Sequence, residues 1–419
     1  MIITRQYFPH GDATSNVVHN LAKEFLHRGW NVQVLALTSY AADADAHMWE
    51  GVPIENIYLP CSIERAQMIN EWRKHFRHTV LATERRLYSF LRSKIERETR
   101  ELGINSLFRR TFEKKIREYQ NKNEYDLCIA TLMPVEAVSA AMNVCNKNTV
   151  FAIYQLDTYW NNDWLPAKYK DKRRKFEEHL INDADYIVTT PLIKRSNEAA
   201  FPDHSGNIIS AEFPMIVELE TEGTGKVYDD NKTHCAFLGR LYKGIRPPEP
   251  AIKTILKTEN NNVVFDFYGT GQHLISAVLE KKGQPTELIQ LHGTVSSEEA
   301  RKIRDTAHFL VNIDNTTTLQ VPSKIFEYMC TGKPIVNFYF FKDSPTLKYM
   351  EKYPNCVNIY LNGELDEEAQ RLDEFIASNK EIRVPYQIVK EMFRENTPAY
   401  VADLFYKGYN AARQQKRSK

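Results

Sequence analysis

The chain has no run of about 18 consecutive apolar residues, so no segment has the length and hydrophobicity of a membrane-spanning helix. Its opening, Met1-Ile2-Ile3-Thr4-Arg5, lacks the charged lead and apolar core of a signal peptide and reads directly as a strand. Cysteine is scarce. Cys61, Cys128, Cys145, Cys235, Cys330 and Cys356 are spaced too widely for a zinc knuckle or a thioredoxin-like pair. Several sit in apolar strand-like runs, as buried free thiols do, and a reducing cytoplasm is the expected compartment. An excess of one charge is also missing. With 55 Lys and Arg against 54 Asp and Glu the formal net charge is +1, which gives the protein as a whole no reason to bind nucleic acid.

What is present is alternation. At 419 residues, 42% of them hydrophobic, the chain exceeds what one compact core holds, and two domains of similar size are expected. Short apolar runs alternate with helical patterns, the signature of parallel β-α-β units. Met1 to Thr4, Asn31 to Leu37, Leu127 to Thr131, Val150 to Tyr154 and Tyr186 to Thr190 read as strands of one half. Cys235 to Leu238, Val263 to Tyr268, Leu288 to Leu291 and Phe309 to Val311 read as strands of the other. Between the halves, Glu218 to Asn231 turns to Glu, Thr, Gly, Asp and Asn, a linker or exposed turn. The expected fold class is α/β, with doubly wound parallel-sheet domains over residues 1–217 and 218–396 and a cleft between them. Residues 62–124 interrupt the first domain with long helices in which basic pairs such as Arg85-Arg86, Arg109-Arg110 and Lys114-Lys115 stand out. They form either a packed hairpin with a solvated face or a basic amphipathic surface that rests on anionic lipid at the inner face of the membrane.

The richest stretch follows the apolar run His308 to Ile313. Val321-Pro322-Ser323-Lys324-Ile325-Phe326-Glu327-Tyr328 opens a helix just past a strand end, where parallel sheets form their ligand crevice and helix N–H groups face anions. Lys324 and Glu327, three apart, share a face. Lys324 can neutralise a phosphate while Glu327 accepts from sugar hydroxyls; the plain alternative is a surface ion pair. Gly332-Lys333-Pro334 stops the helix ahead of another buried strand.

With these elements in place, the chain resembles the GT-B glycosyltransferases, specifically the retaining family 4 type of bacterial polysaccharide synthesis. The likeness covers nearly the whole chain and rests on ordered segments. These are Tyr7-Phe8-Pro9-His10-Gly11-Asp12-Ala13-Thr14-Ser15 with its following helix and strand, Gly239-Arg240-Leu241, Tyr268-Gly269-Thr270-Gly271, His292-Gly293-Thr294-Val295, and Pro322 to Tyr328. Gly11 allows backbone N–H groups close to a diphosphate, or else makes a tight turn. Arg240, Lys243 and Arg246 cluster after the first strand of the second domain, where a leaving diphosphate needs charge-assisted hydrogen bonds, unless they are simply solvated. The resemblance implies a base held by the Gly269, Gly271, Gly293, Thr294 and Val295 loops, although helix capping and turn making explain the same glycines without a ligand. It also implies a ribose at Glu327 beside Ser323, and Lys324 with Arg246 acting on the leaving phosphate. The family's first glutamate falls here on Leu319, with Thr318 and Gln320 beside it.

On the acceptor side, Asp157 ends a strand and can orient a hydroxyl or cap the next segment. Tyr159 and Trp160 can stack on sugar faces, and His10, Asp12 and Thr14 can touch the acceptor. The implied reaction moves a sugar from a nucleotide-diphosphate sugar to a glycan or lipid-linked hydroxyl, with no covalent intermediate, no metal clamp and no cofactor. Residues 397–419, with Val401, Leu404, Phe405 and Tyr409 at helical spacing, are expected to return to the first domain, as the resemblance suggests. Two other readings remain open: a sugar-nucleotide epimerase of the same fold, and a degenerate subunit that binds nucleotide sugar without turnover.

Overall fold

A computed structural model describes residues 1–38, 40–58, 101–162, 165–219, 228, 230–282, 287–318 and 320–418. The chain divides into two compact units, Met1–Pro214 with Pro398–Lys419, and Met215–Thr397. Most of the expected insertion at 62–124, the linker around 220–227 and Leu319 lie outside the described residues. No helix among the described residues is long and apolar enough to cross a membrane.

Unit 1 is built on strands β1 (Ile2–Thr4), β2 (Val34–Thr38), β3 (Met48–Trp49), β4 (Val52–Tyr58), β5 (Leu127–Thr131), β6 (Val150–Gln155), β7 (Tyr186–Thr189) and β8 (Ile208–Ser210). They lie in the order β3-β4-β2-β1-β5-β6-β7-β8, parallel except where β3 meets β4. Every residue of β2, β5, β6 and β7 is buried, because helices cover both faces, and these strands therefore read as continuous apolar runs. The helix Ala13–His27 turns Val17, Val18, Leu21 and Phe25 inward. Against it packs the last helix, Pro398–Ser418, through Val401, Ala402, Phe405, Tyr409 and Ala412. Phe405 is fully buried, its ring centroid 5.1 Å from that of Tyr154 and 6.0 Å from that of Phe25. The expected insertion ends in the helix Ser106–Gln120, capped by Asn105 and anchored by Phe112 and Ile116.

Unit 2 carries β9 (Thr233–Leu238), β10 (Val263–Tyr268), β11 (Ile289–Gly293), β12 (Phe309–Ile313), β13 (Ile335–Tyr339) and β14 (Cys356–Tyr360), all parallel, in the order β11-β10-β9-β12-β13-β14. Alternate residues face opposite sides of a strand. Cys235, Phe237, Phe265, Phe267, Phe309, Val311, Val336, Phe338, Val357 and Ile359 build an apolar core on one side. The other side is polar at its centre. Asn312, Asn337 and Asn358 pair in register and pass amide hydrogen bonds across three strands, 2.7 Å each. Each buried amide finds a partner in its neighbour, so the polar row carries little desolvation cost.

Candidate functional site

Four loops of unit 2 leave the carboxyl ends of neighbouring strands, after β9, β10, β11 and β12. The chain runs outward from β9 through β10 to β11 and then crosses to β12 on the far side of β9. The loops after β9 and β12 therefore flank the topological switch point, where an open parallel sheet forms its crevice.

These two loops are clamped together. Tyr242 and Arg246 exchange backbone hydrogen bonds at 3.2 and 3.1 Å, and the Thr316 N–H donates to the Ile245 carbonyl at 2.7 Å. The clamp sets Arg246 against Asn315, whose amide oxygen accepts from Nε at 3.2 Å and Nη2 at 2.9 Å. Nη1 reaches the Arg240 carbonyl at 3.5 Å. Among the described residues the guanidinium's hydrogen-bond acceptors are thus an amide and a carbonyl, not a carboxylate. Burial pushes its pKa down, opposed by the nearby Asp314. Asp314 is itself occupied, accepting from Ser344, from Thr346 Oγ1 at 2.7 Å and from the Asn315 N–H at 2.8 Å. A half-buried cation hydrogen-bonded only to neutral groups is an arrangement that an anion completes. Arg240 and Lys243, in the same loop, are exposed.

After β12 comes the helix Lys324–Cys330, which buries Ile325, Phe326, Tyr328, Met329 and Cys330. The Tyr328 hydroxyl accepts from the Leu238 N–H at 3.3 Å and so ties this helix to the end of β9. Lys324 and Glu327 are left on the outer face, Nζ to Oε2 3.6 Å. Glu327 Oε1 accepts from Arg304 Nη1 at 2.9 Å. Burial alone would raise the Glu327 carboxyl, but Lys324 and Arg304 outweigh it and hold it below its ordinary value. Ser323 precedes the helix without a capping hydrogen bond from its side chain.

The glycines after β10 sit where backbone meets backbone. Gly269 has φ +119°, and a Cβ there would lie 1.8 Å from the Gly239 carbonyl oxygen. At Gly271, φ is +88° and the Leu241 carbonyl oxygen would be 2.3 Å away. Backbone approaches backbone at both, so the packing of β9 against β10 accounts for them without a ligand. Gly293 has φ +75° and open space around it. Gln272, which no motif singled out, braces this edge by donating to the Phe267 carbonyl at 2.7 Å and accepting from the Gly293 N–H at 3.0 Å. Thr294 is exposed, and Val295 borders a cavity of about 690 Å³ with Tyr268, His292 and Asp266.

In unit 1, His10 to Asp12 lie in the loop after β1, Thr14 lies in the first turn of the helix Ala13–His27, and Asp157 follows β6, at the carboxyl edge of one sheet with β5 between. One expectation, an open ring face at Tyr159, is corrected there. Asp12 is exposed and caps the helix Ala13–His27, its Oδ1 accepting from the Ser15 N–H at 2.9 Å and from the Ser15 hydroxyl at 3.0 Å. Tyr159 is fully buried, its hydroxyl donating to the Leu102 carbonyl at 2.5 Å, and no ring face is open to a sugar. Trp160 is half-buried, with Lys170 Nζ 5.0 Å from its ring centroid. Gly11 is exposed, and a Cβ there would meet Ser15 Cβ at 2.9 Å. Thr14 and Asp157 are half-buried. His10 has an unforeseen partner. Its Nδ1 lies 2.6 Å from Oδ1 of the buried Asp43, its ring stacks on Tyr40 at 4.1 Å, and its side chain is 53% exposed.

No family model matches the chain, and no curated protein matches it in sequence. Solved structures do. Sucrose-phosphate synthase from Thermosynechococcus elongatus superposes with a TM-score of 0.63 at 12% identity, over 98% of this chain and 99% of the other. The lipopolysaccharide outer core galactosyltransferase WaaB gives 0.55 at 14% identity over 98% of each chain. Anabaena HepE in complex with UDP gives 0.55 at 12% identity, over 97% and 99%. The fold is GT-B. The GT-B architecture accounts for the two parallel-sheet units over essentially the full chain length. Among the described residues, no group of three or more His, Cys, Asp or Glu is arranged to hold a metal ion.

Proposed function

We propose that this protein is a glycosyltransferase that takes a sugar from a nucleotide-diphosphate donor bound by unit 2 and passes it to a hydroxyl of a glycan or lipid-linked acceptor in cell-surface polysaccharide synthesis. The observation that carries the reading is Arg246. A half-buried guanidinium stands at the switch point, hydrogen-bonded to Asn315 rather than to a carboxylate, with Lys324 on the helix that follows the facing loop. In this reading the diphosphate lies against Arg246 and Lys324, and Glu327 accepts from the ribose. As the glycosidic bond breaks, charge grows on the departing phosphate, and fixed cations stabilise that state more than the ground state. The two side chains supply the positive charge without a metal. The phosphate then takes the acceptor proton on the same face, so configuration is retained and no sugar–enzyme bond forms. His10, Asp157 and Trp160 serve the acceptor.

A lipid-linked acceptor is favoured by the helix Ser106–Gln120. Arg110, Lys114 and Arg117 lie exposed along one of its faces beside Leu107, a stripe suited to an anionic bilayer on the cytoplasmic side.

The test offers purified protein a panel of nucleotide sugars, with nucleoside diphosphate release as the readout. Release from one donor, slowed more than donor binding is loosened in Lys324→Ala, is the expected result. Binding without release would instead indicate the degenerate subunit, and an isomerised donor without acceptor would indicate an epimerase.

A further inference from the structure

Building on the reading that Glu327 receives the ribose, we propose that Arg304 is the positioning residue that sets the Glu327 carboxylate, and that Lys333 fixes the helix end from which Arg304 projects. Arg304 is 3% exposed, an unusual place for a guanidinium unless its charge is matched. It is matched twice, by Asp305 Oδ1 at 2.7 Å from Nε and by Glu327 Oε1 at 2.9 Å from Nη1. The planar fork fixes the direction of both bonds, which a lysine ammonium would not.

Arg304 stands in the last turn of the helix Ser297–Thr306, which begins at a capping box of Ser296 and Glu299. The final carbonyls of any helix lack intrahelical donors. Here Lys333 Nζ sits among them, 2.9 Å from the Arg304 carbonyl, 2.5 Å from that of Asp305 and 2.6 Å from that of Ala307. Lys333 is 8% exposed and follows the helix Lys324–Cys330 by three residues. The two helices are therefore tied at both ends of a short span, by Lys333 to the carbonyls and by Arg304 to Glu327. With Oε1 held, Oε2 is the oxygen directed toward Lys324 and toward an incoming diol. Loss of the fork frees the carboxylate to rotate, and Oε2 no longer keeps a fixed direction.

The test is a double-mutant cycle on the full chain, read by calorimetric affinity for UDP, GDP and ADP and continued with whichever binds most tightly. Glu327→Ala and Arg304→Met should each weaken binding roughly tenfold, about 1.4 kcal/mol, and the double variant should lose no more than Glu327→Ala alone. Arg304→Lys should recover part of the affinity. If Glu327→Ala leaves affinity unchanged, or none of the three nucleotides binds, the ribose reading fails first and the positioning role fails with it. If Glu327→Ala weakens binding and Arg304→Met does not, or if the two losses multiply in the double variant, the positioning role alone is overturned. Should Arg304→Met fail to fold, Arg304→Lys takes its place, and its loss must likewise vanish in the Glu327→Ala background.

Discussion

Glu177 is an acid placed where water does not reach it. Its carboxylate accepts from the Trp160 N–H and from Gln155 Nε2, both at 2.8 Å, in a fully buried site. Burial pushes its pKa up to about 7, and the two hydrogen bonds recover only part of the cost of ionising it. A raised folded-state pKa means that the folded protein binds more protons than the unfolded chain between the ordinary glutamate value and about 7. Stability from this group is therefore greatest below that window and falls as pH rises through it. Urea unfolding of wild type and Glu177→Gln from pH 4.5 to 8 should show the wild type losing up to about 3 kcal/mol relative to the variant. A difference constant with pH would contradict the assignment. At this scale the sequence was partly legible. Lys324 and Glu327 were readable because three-residue spacing on a helix is local geometry. Arg304 was not, because Ser297-Glu298-Glu299-Ala300-Arg301-Lys302 around it reads as a solvated helix, and nothing local names a partner 23 residues on. The His10–Asp43 pair was hidden for the same reason.

At the level of strands and loops, the apolar runs announced nearly every central strand, since burial on both faces leaves little room for other residues. The short edge strands β3 and β8 were not foreseen, for two or three residues carry no periodicity. Glycines were located correctly but explained incompletely. A glycine marks a close approach without saying what approaches, and at Gly269 and Gly271 it is the neighbouring backbone. Gly269→Ala should cost about 3 kcal/mol or more, combining an unfavourable φ with a clash against Gly239, whereas Gly293→Ala pays only the conformational part, about 1 kcal/mol. Urea unfolding of both variants, followed with a reporter in unit 2, separates these. Equal costs would show that steric approach at Gly269 is relieved by movement of β9.

For the whole chain, the expected return of the last segment rested on a helical pattern and a resemblance, and the structure assigns Pro398–Lys419 to unit 1. Phe405 is the centre of that association, buried among Phe25, Tyr154 and Tyr186. Arg28 adds an ion pair with Asp403 at 2.6 Å, and Lys416 one with Asp185 at 2.8 Å, both partly solvated and worth little by comparison. Phe405→Ala should cost about 3–5 kcal/mol. Hydrogen exchange should show the loss in β6, β7 and the helix Ala13–His27, while β9 to β13 keep their protection. Loss of protection spread equally over both units would mean that they unfold as one.

This discontinuity has a consequence for synthesis. A ribosome finishes every residue of unit 2 before it has made the helix that closes unit 1, so the half begun first is completed last. At roughly 5–20 residues per second, translating positions 215–397 holds the groove beside Phe25 and Tyr186 open for on the order of ten to forty seconds. During that interval the nascent N-terminal sheet carries an uncovered aromatic seam, the kind of surface that holdase chaperones bind.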